Sequence, residues 1–307
     1  MTDAMPDASS IAVDWGTTRL RAYLIDAEGA ILDRHEGADG IMSVPVGGFP
    51  AMLARYIDGW LAADPTLPVV MAGMVGSRNG WAEAPYAPCP AAARDLAGRM
   101  ITVVRADGGA ATIIPGVAGV FDGAGDVMRG EETLVVGLDL EDGLACLPGT
   151  HAKWVLLRGG RIERFSTFMT GEIYAALSEH TILGRLATEP ADTAGFARGL
   201  HASRSAGGPL HAAFAARANV LLETMAPAMV KPYLSGLLVG GEVAGALALY
   251  GDLEAVHVVA TSGQAALYSQ ALAAANVEAI IVDPEAALLK GMARIASQGK
   301  PHMGSRS

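Results

Sequence analysis

The most constraining feature of this sequence is a short run of strands and turns that occurs twice. In the first copy an apolar strand, Ile11–Val13, enters DWGTT (Asp14–Thr18), and LRAYLID (Leu20–Asp26) forms a second strand. AEG then turns, with Gly29 free to take the positive φ that a tight hairpin needs, and a third strand starts at Ala30. In the second copy LACL (Leu144–Leu147) enters PGTHAK (Pro148–Lys153), WVLLR follows, Gly159 and Gly160 turn, and RIERFSTF returns. Each copy demands a sheet opened by three sequential strands, with a Gly-Thr turn between its first two.

The remaining segments fit around these two units. Phe49–Ala62 has helical apolar spacing, and PVVMAGMVGS (Pro68–Ser77) reads as a buried strand ending in glycines. GEETLVVGLDL predicts a helix with Glu131 and Glu132 in its first turn, where carboxylates suit the helix dipole. Thr170 is placed as an N-cap, and Leu234–Tyr250 as a nearly all-apolar helix that fits either core or a homodimer face. VHVVA, a TSG turn and QAALYSQALAAA form a strand–turn–helix, followed by AIIV and a last helix from Pro284. Strands alternating with helices define an α/β class. At 307 residues two domains are expected, 1–130 and 131–307, the last helix being free to pack back on the first.

Charge and cysteine content narrow the partners. With 22 Lys and Arg against 32 Asp and Glu the net charge is −10, and no basic run offers a footprint for nucleic acid. Cys89 and Cys146 form neither a CxxC pair nor a zinc spacing, and are read as buried thiols of a reducing compartment. MTDAMPDASS lacks the features of a leader, and no stretch reaches the ~18 uninterrupted apolar residues of a membrane span. A cytoplasmic protein with no membrane partner is expected, and PHMGSRS after Lys300 reads as a frayed end.

The two turns carry the chemistry. In DWGTT, backbone N–H groups and two hydroxyls gather beside the Asp14 carboxylate, a concavity suited to phosphate oxygens and a hydrated Mg²⁺. In PGTHAK, Gly149 and Thr150 can cradle a phosphate and Lys153 can neutralise its charge. His151 fits either phosphate contact or a structural role. There is no G-x-x-x-x-G-K-[ST] loop, no G-x-G-x-x-G after a strand, no GxSxG elbow and no HExxH pair. P-loop, dinucleotide-binding, hydrolase-elbow and zinc-hydrolase readings are therefore set aside.

DWGTT, PGTH and the late strand–TSG–helix resemble the phosphate-1, phosphate-2 and adenosine segments of the sugar kinase/actin/Hsp70 superfamily. VMAGMVGS with GW and APY (Val70–Tyr86), VMRGEET, PGTHAKWV, TFMTGE and YLSGLLVGGEV, in that order, resemble the 2-dehydro-3-deoxygalactonokinase family. The resemblance implies a two-lobed actin-like ATPase (ribonuclease H-like) fold, each lobe a mixed sheet flanked by helices, with a cleft between. It implies phosphorylation of the terminal (C6) hydroxyl of 2-dehydro-3-deoxy-D-galactonate with ATP and Mg²⁺. A kinase of a related keto-deoxy sugar acid or hexose, a sugar-acid sensor without turnover, and an actin-like filament former are the alternatives.

By the same resemblance Asp14 orients Mg²⁺ through water, and Gly16, Thr17 and Thr18 lie beside the γ-phosphate. Gly149, Thr150 and Lys153 hold the β- and γ-phosphates, while Thr261, Ser262, Gly263 and Gly291 border adenosine. In the related FGGY carbohydrate kinases a G-D-Q triplet supplies the base. Gly130-Glu131-Glu132 takes that place here, so Glu131 is assigned as base, with Glu132 and Asp126 as alternatives. A 2-keto acid needs a cation: Arg129 is the first candidate and Arg21 the second, with Ser77 and Trp81 offering a hydroxyl and an apolar wall.

Overall fold

The computed structural model describes residues 8–251 and 253–299; the segment MTDAMPD and the tail PHMGSRS lie outside them. The chain forms two compact units. The first holds the chain up to Asp142, Leu157–Arg164 and the chain from Pro284; the second holds Gly143–Leu156 and Phe165–Asp283.

The first unit opens with β1 (Ala8–Trp15), β2 (Leu20–Asp26) and β3 (Ile31–Gly37), joined as the glycine punctuation predicts, with Gly29 at φ 85°. α1 (Phe49–Ala63) follows, burying Leu53, Ile57, Trp60 and Leu61, an i, i+4, i+7, i+8 stripe, against the sheet core. β4 (Val69–Ala72) is buried at every residue and runs parallel to β1. Then come β5 (Ala87–Pro88), α2 (Ala93–Ala97), β6 (Ile101–Val104), β7 (Ala110–Ile113), β8 (Val117–Phe121), β9 (Ala124–Met128) and α3 (Glu131–Gly137). The main sheet has the order β3-β2-β1-β4-β7-β6, and β5-β8-β9 form a small second sheet.

The second unit carries β10 (Gly143–Leu147), β11 (Ala152–Arg158) and β12 (Arg161–Phe168), with Gly159 and Gly160 both at positive φ between the last two. After them come α4 (Thr170–His180), α5 (Ala194–Ala202), α6 (Gly208–Leu221), α7 (Val230–Tyr250), β13 (Ala255–Val259), α8 (Ser262–Ala273) and β14 (Glu278–Val282). α9 (Pro284–Gln298) closes the described chain and belongs to the first unit. The sheet order is β12-β11-β10-β13-β14, with β13 parallel to β10. Third, second, first and then a parallel fourth strand is also the order of β3-β2-β1-β4, so the duplication seen in sequence is a duplication of topology.

Two expectations are corrected. Met169, not Thr170, stands at the N-cap of α4, and the Thr170 hydroxyl turns instead to the Glu242 carboxylate. Cys146 is buried as expected, but Cys89 is only half-buried. The stretch from Pro227 through α7 is, by length and composition, long and apolar enough to cross a membrane. Half of it is nevertheless buried inside the second unit, where Tyr233, Leu237 and Val243 pack in the core, as expected of a core helix.

Candidate active site

In the first unit the 16–19 turn is held from behind. Gly16 N–H donates to the Arg19 carbonyl at 2.9 Å, and the Gly16 and Thr17 carbonyls accept from Ile41 and Met42 N–H at 3.0 and 3.3 Å. Gly40 lies so close that a Cβ there would overlap the Thr17–Thr18 backbone. With the carbonyls occupied, Thr17 and Thr18 stay exposed and line a hollow of about 270 Å³. Trp15, just before the turn, is fully buried and meets Trp81 edge-on at 6.4 Å; Trp81 also stacks on Phe49 at 6.1 Å. Ser77 donates to the Met74 carbonyl at 2.7 Å. Both residues therefore brace the end of β4.

Asp14 pairs with Arg21 across the β1–β2 register, Nη2 to Oδ2 at 2.7 Å. Burial raises the Asp14 pKa, and the guanidinium pulls against that rise. Two glycines bring the head of α3 to this carboxylate. Gly73 (φ 95°) ends β4 with its Cβ position 3.4 Å from Asp14 Oδ1, and the Cβ position of Gly130 (φ 105°) is 3.4 Å from Gly73 Cα. Side chains at either residue would combine strain with crowding at the point where β1, β4 and α3 meet.

The α3 carboxylates differ sharply. Glu131 is half-buried and accepts the Arg129 N–H at 3.0 Å. Glu132 is fully buried, accepts the Gly130 N–H at 2.7 Å and meets the Thr133 hydroxyl at 3.1 Å. Burial, reinforced by the neighbouring Glu131 charge, pushes Glu132 up to about 8. Asp126 sits on β9 with its carboxylate on the Val127 N–H. Arg129 donates to the Ala84 carbonyl at 2.9 Å and lies over the Tyr86 ring at 4.4 Å, while its Nε and Nη1 are enclosed without a protein acceptor. Tyr86 was not singled out from the sequence; a cation–π contact leaves no signal in residue spacing.

In the second unit the 148–151 turn joins β10 to β11. Thr150 is exposed, and its carbonyl accepts the Glu172 N–H at 3.0 Å; Gly171 packs so tightly on Gly149 and Thr150 that a Cβ would overlap them. His151 is engaged by Glu172 at 2.5 Å. Lys153 is buried, with Nζ 3.3 Å from the His151 carbonyl of its own turn. Thr261, Ser262 and Gly263 open α8, all exposed, and Thr261 makes no side-chain cap bond. Cβ positions at Gly149 and Gly263 meet nothing within 4 Å, so the backbone there faces open space.

The fourth residue read as bordering adenosine is Gly291. It is buried on α9 in the first unit, where a Cβ would overlap the Thr133 carbonyl, and Gly137 makes the reciprocal approach to the Ala287 carbonyl. Helix packing accounts for both glycines.

Among the described residues no three His, Cys, Asp or Glu side chains gather as metal ligands. A single carboxylate, Asp14, fits a Mg²⁺ that keeps most of its waters and is shared with phosphates. The duplicated strand–turn topology, with exposed Gly-Thr turns and a carboxylate at the end of β1, places the fold in the actin-like ATPase and sugar-kinase class. A family model described as 2-keto-3-deoxy-galactonokinase matches residues 14–295. The protein "2-dehydro-3-deoxygalactonokinase" of Escherichia coli (strain K12) is 36% identical, over 94% of this chain and 98% of its own length. "Probable 2-dehydro-3-deoxygalactonokinase DgoK1" of Rhizobium meliloti (strain 1021) is 40% identical, over 93% and 95%. A Sinorhizobium meliloti crystal structure, described as "a putative 2-dehydro-3-deoxygalactonokinase protein", superposes with a TM-score of 0.85 at 37% identity, covering 95% of this chain and 99% of that one. The chain belongs to the 2-keto-3-deoxy-galactonokinase family, and it is an ATP-using sugar kinase.

Proposed function

We propose that the protein transfers the γ-phosphoryl group of ATP to the terminal (C6) hydroxyl of 2-dehydro-3-deoxy-D-galactonate. The observation that carries the mechanism is the meeting of Asp14 with the acidic head of α3 through Gly73 and Gly130. Phosphoryl transfer needs little beyond alignment, charge neutralisation and a group that accepts the hydroxyl proton. Asp14 would hold a hydrated Mg²⁺, which when bound neutralises charge on the phosphates. Gly16, Thr17 and Thr18 offer N–H and hydroxyl donors to the γ-phosphate.

Glu131 is the base. Its carboxylate is half-exposed and can take a proton from an incoming hydroxyl, whereas Glu132 is sealed among backbone donors and tends to hold its own proton. Arg129 takes the substrate carboxylate: it carries two N–H groups without protein acceptors, and movement of the adjoining Tyr86 ring would uncover them. Arg21 serves Asp14 in this structure and stands second for that role. Gly149, Thr150 and Lys153 bind the β- and γ-phosphates, and Thr261, Ser262 and Gly263 border adenosine; Gly291 is set aside as a packing residue.

An ADP-release assay tests this with Mg-ATP and, in turn, 2-dehydro-3-deoxy-D-galactonate, its gluconate epimer, galactose and no sugar. Turnover that requires the galactonate compound is expected. Equal turnover with galactose would remove the carboxylate from recognition, and silence with all four would overturn the activity.

A further inference from the structure

α7 is an apolar helix with one anomaly. Glu242 stands in its middle, 3% exposed, where a leucine would fill the same space without a desolvation cost. Its carboxylate is fully occupied. Trp154 Nε1 donates to Oε1 at 2.8 Å, the Tyr268 hydroxyl donates to Oε2 at 2.9 Å, and the Thr170 side chain adds a further hydrogen bond. All three donors are neutral.

What matters is where the donors stand. Trp154 is on β11, directly after Lys153 and the 148–151 turn. Thr170 begins α4, and the next residue, Gly171, is pressed against Gly149 and Thr150. Tyr268 is two turns into α8, the helix that Thr261–Gly263 open. One carboxylate therefore touches the strand behind one proposed nucleotide segment, the helix packed on that segment, and the helix behind the other.

We propose that Glu242 is a positioning residue for ATP: it fixes the spacing between the 148–151 turn and the 261–263 turn, so that phosphate and adenosine contacts are made together. This rests on the reading of those two turns as nucleotide-binding. A partly satisfied buried network is worse than none, so loss of one donor loosens the arrangement rather than merely deleting one bond. The spacing of the turns then sets ATP affinity, while the first unit's sugar-acid residues are untouched.

The test uses the full-length enzyme, with KM for ATP and for the sugar acid, Mg-ATP titration by calorimetry, and thermal midpoints. Tyr268→Phe removes one donor with little change of shape, and about a tenfold rise in KM for ATP is expected, with a matching loss in calorimetric affinity and an unchanged KM for the acid. Glu242→Gln restores the pattern, because its carbonyl accepts from Trp154 and its amide donates to the Tyr268 hydroxyl; KM for ATP within about twofold of wild type is expected. Glu242→Leu is expected to lose ATP affinity further where it folds.

A lowered midpoint with ATP affinity unchanged in Tyr268→Phe would make the network purely structural and overturn the proposal. Thr150→Ala separates the two failures. If it weakens ATP binding while Tyr268→Phe does not, only the role of Glu242 falls. If neither does, the reading of the turn falls with it.

Discussion

Glu131 and Glu132 are neighbours in sequence with opposite surroundings, and that difference yields two predictions. Glu131→Gln removes the proposed proton acceptor but keeps an oxygen for the Arg129 N–H, so kcat is expected to fall by about 10²–10⁴-fold with ATP affinity nearly unchanged. Stopped-assay kinetics with nucleotide titration check this, and unchanged turnover would move the base elsewhere. Glu132 holds its proton up to about pH 8 in the folded protein, whereas the unfolded chain releases it near 4.5. The folded state thus binds more protons through that window, so this residue's contribution to stability falls as pH rises and levels off above it. Glu132→Gln keeps the buried acceptor without the charge. Its thermal midpoint relative to wild type is expected to climb between about pH 5 and about pH 8, and a constant offset would contradict the burial argument. DWGTT and GEE were legible because turn glycines and first-turn acids announce themselves locally. The Asp14–Arg21 pair was not, since only antiparallel register sets residue 14 opposite 21.

Helix packing gives one contested position a second reading at the scale of elements. Gly291 fitted an adenosine contact from its place in the chain, yet α9 crosses α3 at Gly291 and Gly137 with backbone against backbone. Gly291→Ala forces the helices apart, with an expected loss of about 1–3 kcal/mol and a KM for ATP that stays put in the folded fraction. Thermal or urea unfolding with parallel kinetics checks it, and a changed KM at unchanged stability would return Gly291 to the nucleotide. The opening strands of both units were readable because apolar runs ended in Gly-Thr turns and glycine hairpins. The small β5-β8-β9 sheet was not. β5 has two residues, and β8 and β9 are largely uncovered, so neither length nor apolar alternation marks them. α6 escaped for a related reason: it buries only Ala212 and Ala216 and presents no apolar stripe to detect. Thr170 looked like a cap because only a distant residue, Glu242, could claim its hydroxyl.

Each unit of the whole molecule carries one cysteine, so opening around each sulfur can be measured separately. Cys146 is fully buried on β10, the strand that leads into the 148–151 turn, and burial with the nearby Glu242 charge raises its thiol well above the usual range. Cys89, in the first unit, is pushed up to about 12, chiefly by burial. Thiolates, not thiols, attack disulfide reagents, so neither is expected to react quickly with Ellman's reagent in the native state at pH 8. Labelling then reports opening of the unit around each sulfur, read separately in Cys89→Ser and Cys146→Ser variants. If the second unit holds ATP, nucleotide at about 100 times its Kd stabilises the closed form by about 2.7 kcal/mol, and labelling of Cys146 slows by about 100-fold. An unchanged Cys146 rate under saturating Mg-ATP would show that nucleotide binding is not coupled to the opening that exposes β10, and would count against the 148–151 turn as its site.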